Sequence, residues 1–120
     1  MKLRVKGNSI RVRLTKTEVD KICIGTTLEE STIFGEDIFK YELKKSDDVS
    51  ELSAAFRSGT ITIFLPSSFI QDWNSNGTVG FNTTTKDGLY ILVEKDFKCL
   101  DETTEDHSDN YENPHTTCRE

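Results

Sequence analysis

One pattern occurs twice in this chain, about fifty residues apart, and it limits the fold more than any other feature. Ile10-Arg11-Val12-Arg13-Leu14-Thr15 runs into Lys16-Thr17-Glu18-Val19-Asp20-Lys21-Ile22, and Ile61-Thr62-Ile63-Phe64-Leu65-Pro66 runs into Ser67-Ser68-Phe69-Ile70-Gln71-Asp72-Trp73. Apolar residues recur at an offset of 51: Ile10 with Ile61, Val12 with Ile63, Leu14 with Leu65, Val19 with Ile70, Ile22 with Trp73. In each copy, alternation at every second residue gives way to apolar residues three apart, which predicts a strand entering a short helix. Thr15 with Glu18 three residues later is a capping-box pattern, and Pro66 before Ser67-Ser68 suits the first turn of a second helix. Helices of two to three turns, closing near Gly25 and between Asn74 and Gly77, are marginal alone and need a sheet to hold them.

A hairpin follows each helix. The first joins Glu30–Phe34 to Ile38–Lys44 through Gly35-Glu36-Asp37, and the second joins Thr78–Thr84 to Leu89–Glu94 through Lys86-Asp87-Gly88, where Asp-Gly is a strong turn signal. Phe39, Tyr41 and Leu43 match Leu89, Ile91 and Val93 at an offset of 50. One more strand opens each unit: Leu3 and Val5 alternate with Lys2, Arg4 and Lys6 before the Gly7-Asn8-Ser9 turn, and Glu51–Arg57 precedes Ser58-Gly59-Thr60. The fold read from this pattern is α+β and mainly β. It consists of internally duplicated strand–strand–short helix–strand–strand units that close a pseudo-two-fold barrel or sandwich. The halves, residues 1–46 and 49–98, are expected to share one core within a single domain, because about fifty residues bury too little surface alone.

The formal charge of −6 is concentrated at one end. Residues 1–98 hold 14 acidic and 14 basic side chains, whereas residues 99–120 hold 7 acidic and 1 basic, so the body is neutral and the acidic C-terminal tail is expected to be loosely ordered. Within the body, residues 1–16 carry six basic side chains and no acid. No apolar run approaches the roughly 20 residues that span a bilayer, and the start lacks an apolar signal core. A cytoplasmic protein without membrane attachment is therefore expected, as monomer or homodimer, its cysteines Cys23, Cys99 and Cys118 reduced.

Two resemblances bear on this reading. The opening Met1-Lys2-Leu3-Arg4-Val5-Lys6-Gly7-Asn8-Ser9-Ile10-Arg11-Val12-Arg13-Leu14-Thr15-Lys16 resembles the start of AbrB/MazE-type swapped-hairpin domains. That likeness implies interlaced halves and DNA contacts by basic and polar residues, matched here by Lys6, Gly7, Asn8, Ser9, Arg13 and Lys16. Val5 stands where those domains often have an aromatic residue, Thr15 where they have proline, and the second half lacks the basic residues. Across the whole length the chain resembles an uncharacterised family of small bacterial proteins. The segments that carry this are Lys6–Arg11, Leu92–Leu100, and Glu105-Asp106 with Ser108–Tyr111 and Asn113-Pro114. This second likeness implies a grouping and no activity.

Alternation puts Leu3, Val5, Ile10, Val12 and Leu14 on one face of the first hairpin and Lys2, Arg4, Lys6, Arg11 and Arg13 on the other. Such a ribbon suits the major groove of DNA, each cation neutralising a phosphate, with Asn8 and Lys16 at its margins. A solvated, charge-blunted strand face or a dock for the acidic tail is the plainer reading of the same residues. The rival partner is another protein, met at a sheet edge or through the tail.

Cys99, His107, His115 and Cys118 offer tetrahedral zinc ligands, yet their spacing lacks a paired Cys-x2-Cys knuckle, and no cofactor is expected. No catalytic residues are assigned. Both histidines lie in the tail, so the body has none to act as the base a nucleophile needs, and Cys23 reads as a small core residue. Glu94 and Asp96 are expected on opposite faces of one strand, which would make them poor acid–base partners. Phe69, Ile70 and Trp73 are expected to form the core face of the second helix.

Overall fold

The computed structural model describes residues 1–97. Along the chain run β1 (Lys2–Lys6), β2 (Ser9–Leu14), α1 (Lys16–Cys23), β3 (Leu28–Phe34), β4 (Asp37–Ser46), β5 (Ser53–Arg57), β6 (Thr60–Pro66), a 3-10 turn (Ser67–Phe69), β7 (Gly80–Thr84) and β8 (Tyr90–Lys95). These strands build two four-stranded sheets, ordered β1-β2-β8-β7 and β3-β4-β6-β5.

Each hairpin is antiparallel, but the two hairpins within a sheet meet through a parallel pair, β2 with β8 and β4 with β6. Every sheet therefore takes one hairpin from each half of the chain. The parallel registers correspond as well: Val12 lies opposite Val93, and Ile63 lies opposite Leu43. Parallel strands require long crossover connections, and here the helix or turn plus the intervening strands supply them.

Of the expected barrel or sandwich, the closed barrel does not form. The parallel pairs use the inner strand of every hairpin, so the outer strands β1, β7, β3 and β5 remain as edges and each sheet stays open. The sheets instead contribute to one hydrophobic core. Val12, Leu14, Ile91 and Val93 come from the first sheet and Leu28, Leu43, Ile63 and Leu65 from the second, with Val19, Ile22, Ile70 and Trp73 from the connections. Burying each such side chain is worth roughly 1.5–3 kcal/mol, which makes this cluster the main source of stability.

α1 forms as its sequence predicts. Thr15 accepts the Glu18 N–H, the Glu18 carboxylate accepts the Thr15 N–H at 2.9 Å, and Val19 and Ile22 are buried. The second helix does not form beyond the single 3-10 turn. Its segment is rich in Ser, Asn and Asp, which bond to nearby backbone in place of the helical ladder. Ser75 Oγ donates to the Asp72 carbonyl at 3.2 Å, and the Thr78 N–H donates to Asn76 Oδ1 at 3.0 Å. Packing still carries the apolar residues inward: Trp73 is fully buried, its Nε1 donates to the Thr78 carbonyl at 2.8 Å, and Phe81 lies against both Trp73 and Phe69 with ring centroids 5.0 Å apart.

Candidate functional site: a cationic sheet face

The β1–β2 register sets Lys2 opposite Arg13, Arg4 opposite Arg11, and Lys6 opposite Ser9. Directly opposed residues share a face, so Lys2, Arg4, Lys6, Arg11 and Arg13 lie together on the side away from buried Ile10, Val12 and Leu14. Val5, expected with the core-facing set, sits at the strand end and is 58% exposed. Two of the sequence candidates fall outside this array. Asn8 occupies the hairpin turn, its carbonyl accepting the Tyr90 N–H at 3.0 Å, and Lys16 opens α1.

β8 brings an acid into the array. Glu94 lies opposite Arg13 in the parallel register, and its Oε2 accepts from Arg13 Nε at 3.2 Å and from Arg11 Nη2 at 3.5 Å. Just past the strand, Asp96 Oδ2 lies 3.2 Å from Lys2 Nζ. Glu94 and Asp96 thus both turn toward the cationic side, correcting the expectation of opposite faces: residues two apart along an extended chain point the same way. Among the described residues this face carries five cations and these two acids.

Gly80 holds the neighbouring strand close to this acid. It lies opposite Glu94, and a Cβ there would come within 2.4 Å of the Val93 carbonyl oxygen and 2.8 Å of Glu94 Cα. Only glycine lets β7 approach β8 at this point.

A second charged cluster lies where α1 meets β3. The Met1 ammonium is bonded to Glu18 and lies 3.1 Å from Glu30 Oε2. Burial by itself would raise the Glu18 carboxyl pKa, but hydrogen bonds from the Met1 ammonium and the Thr15 N–H outweigh it and hold it below the usual value. Burial, then the charges of Glu30 and Glu18, push the Tyr41 phenol up.

Cys99, His107, His115 and Cys118 lie outside the described residues. Among the described residues no three His, Cys, Asp or Glu side chains gather as a metal site, and no helix is long and apolar enough to cross a membrane. Cys23 is a half-buried free thiol packed against the core.

Glu94 is the residue of this candidate site that reading the sequence did not place beside the arginines. Its matched position in the first half is Lys44, and its arginine partners are 81 and 83 residues away, reached only through the parallel pairing.

A mainly β, α+β protein of two open sheets, one with a shared cationic face, is the class these observations define. The chain belongs to a family of unknown function, DUF7009, whose model matches residues 1–115. No curated protein matches the chain.

Proposed function

We propose that this chain is a non-enzymatic binding domain of the bacterial cytoplasm that takes nucleic acid on the outer face of its first sheet. The observation that carries this reading is the co-facial array of Lys2, Arg4, Lys6, Arg11 and Arg13. Glu94 fixes Arg11 and Arg13 at defined positions, which limits the side-chain entropy lost when a phosphate binds. The hairpins exchanged between halves, the matching parallel registers, and the burial of both members of five matched pairs support a duplicated unit. The AbrB/MazE-type likeness of the opening residues agrees with such an exchange.

Duplex DNA titrated over a range of salt concentrations tests this. Affinity is expected to fall with salt at a log–log slope of about −3 to −4, since each neutralised phosphate contributes about −0.9. Reversing charge at Arg4, Arg11 and Arg13 should abolish the salt-dependent component. Equal binding by wild type and the reversed variant would end the proposal.

Partner-protein binding is the second reading, and one observation favours it. Ile33, Phe34 and Ile38 are exposed at the end of the β3–β4 hairpin of the second sheet, and Phe56 is exposed on β5, the opposite edge strand of that sheet. Salt dependence separates the two, because an apolar contact lacks the steep slope of phosphate binding.

A further inference from the structure

β3 is an edge strand whose outer side pairs with no other strand among the described residues. It is seven residues long, Leu-Glu-Glu-Ser-Thr-Ile-Phe, with no proline, glycine or lysine to interrupt it, and everything after Leu28 is exposed. Ile33 is 73% exposed, Phe34 63%, and Ile38, directly opposite Ile33 on β4, 54%. A long edge ending in apolar side chains on both faces is a template for another strand.

A second copy of β3 can supply that strand, and hydrogen-bond parity limits the registers open to it. In antiparallel pairing, two opposed residues both point their N–H and C=O groups across the gap or both point them away. For two identical strands, an opposed pair must therefore have residue numbers of the same parity, and the two-fold axis must pass through a residue. An axis at Glu30 would set like charges opposite each other, and one at Thr32 would pair only five of the seven residues. An axis at Ser31 pairs all seven. It sets Leu28 opposite Phe34, Glu29 opposite Ile33, and Glu30 opposite Thr32, with no charge facing its like. The two Glu30 side chains then lie diagonally, each already beside its own Met1 ammonium, while Glu29 has Lys40 at 3.8 Å.

We propose that β3 pairs antiparallel with β3 of a second copy of this chain about a two-fold axis at Ser31, joining the two β3-β4-β6-β5 sheets into one eight-stranded sheet. The inference goes beyond the nucleic-acid reading, uses a different sheet, and narrows the protein-interaction reading to one partner.

Sedimentation of the full chain over a wide concentration range tests it. Wild type is expected to approach twice the 13.6 kDa chain mass at high concentration. Ser31→Lys and Ser31→Glu should each weaken self-association, at least about fivefold, by setting like charges opposite each other. Mixing the two should restore it as a mixed dimer. With Cys23, Cys99 and Cys118 changed to serine, Ser31→Cys should cross-link to itself on oxidation, whereas Glu29→Cys, opposite Ile33 of the other copy, should not. Circular dichroism of each variant confirms that it folds. Wild type at the mass of one chain throughout would overturn the proposal and leave DNA binding and other protein partners open. A dimer unaffected by both charge variants, or cross-linked equally well from position 29, would place the interface elsewhere and overturn it too.

Discussion

Strands β1 and β3 occupy like positions, each the outer strand of a hairpin at the edge of its sheet, and their sequences treat that edge in opposite ways. β1 carries Lys2, Arg4 and Lys6 along one side, a device that discourages edge-to-edge pairing. β3 carries two glutamates near its start, both with cations of the same molecule beside them, and then ends in Ile33-Phe34. The hairpins differ in reach as well: β3 and β4 have 7 and 10 residues, β7 and β8 only 5 and 6. Beneath these differences the interior is conserved in pattern, since Val12 and Ile63, Leu14 and Leu65, and Val19 and Ile70 are buried in both halves. One buried scaffold can therefore support two unlike outer surfaces, because the core sees only the inward residue of each alternating pair.

The largest expected effect tests the matched interior. Trp73→Ala should lose about 3–5 kcal/mol and Ile22→Ala, at the corresponding site, about 2–5 kcal/mol, measured by urea denaturation. The tryptophan change should be the larger, because it removes more buried volume and also leaves the Thr78 carbonyl without its Nε1 donor. A milder loss at Trp73 would break the correspondence between α1 and the segment after β6.

A smaller contrast concerns how the two connections start. Thr15→Ala should cost about 1 kcal/mol through loss of the capping box. Ser68→Ala, at an exposed position in the turn that has no side-chain cap, should stay within about 0.5 kcal/mol, as exposed substitutions usually do. Equal costs would mean that the second segment has more helical character than one 3-10 turn.

The smallest effect is one of pH. The Glu18 carboxyl titrates below its ordinary value of 4.5 in the folded chain, so its stabilising contribution is complete above that value and is lost as pH falls through the depressed folded pKa. Glu18→Gln keeps a hydrogen-bonding side chain for the cap and removes the titration. Stability of the variant should fall less steeply than wild type as pH drops below about 4.5, followed by thermal denaturation across acid pH. Parallel acid profiles would show that the contact with the Met1 ammonium contributes nothing to folding.

Much of this architecture could be read from local pattern. The strand alternation in Ile10–Leu14 and Ile61–Leu65, the Thr15–Glu18 cap and the Asp87-Gly88 turn each depend on residues a few positions apart, and each stands where the sequence places it. The co-facial set of Lys2, Arg4, Lys6, Arg11 and Arg13 was legible for the same reason, because a short turn fixes the register of its hairpin. The second helix was misread. Its apolar residues have helical spacing, but Ser67 to Gly77 holds side chains that compete for the backbone, and burial of Trp73 does not require a regular helix.

By itself, the amino-acid order determined the hairpins, the inward and outward faces of their strands, and the capped first helix, because neighbouring residues set these through periodicity, turn chemistry and short hydrogen bonds. Only the tertiary structure decided that the first hairpin joins the last, that the sheets stay open, and that Glu94 stands between Arg11 and Arg13. Those outcomes depend on the register between strands some eighty residues apart, and such a register is chosen by the packing of the whole core.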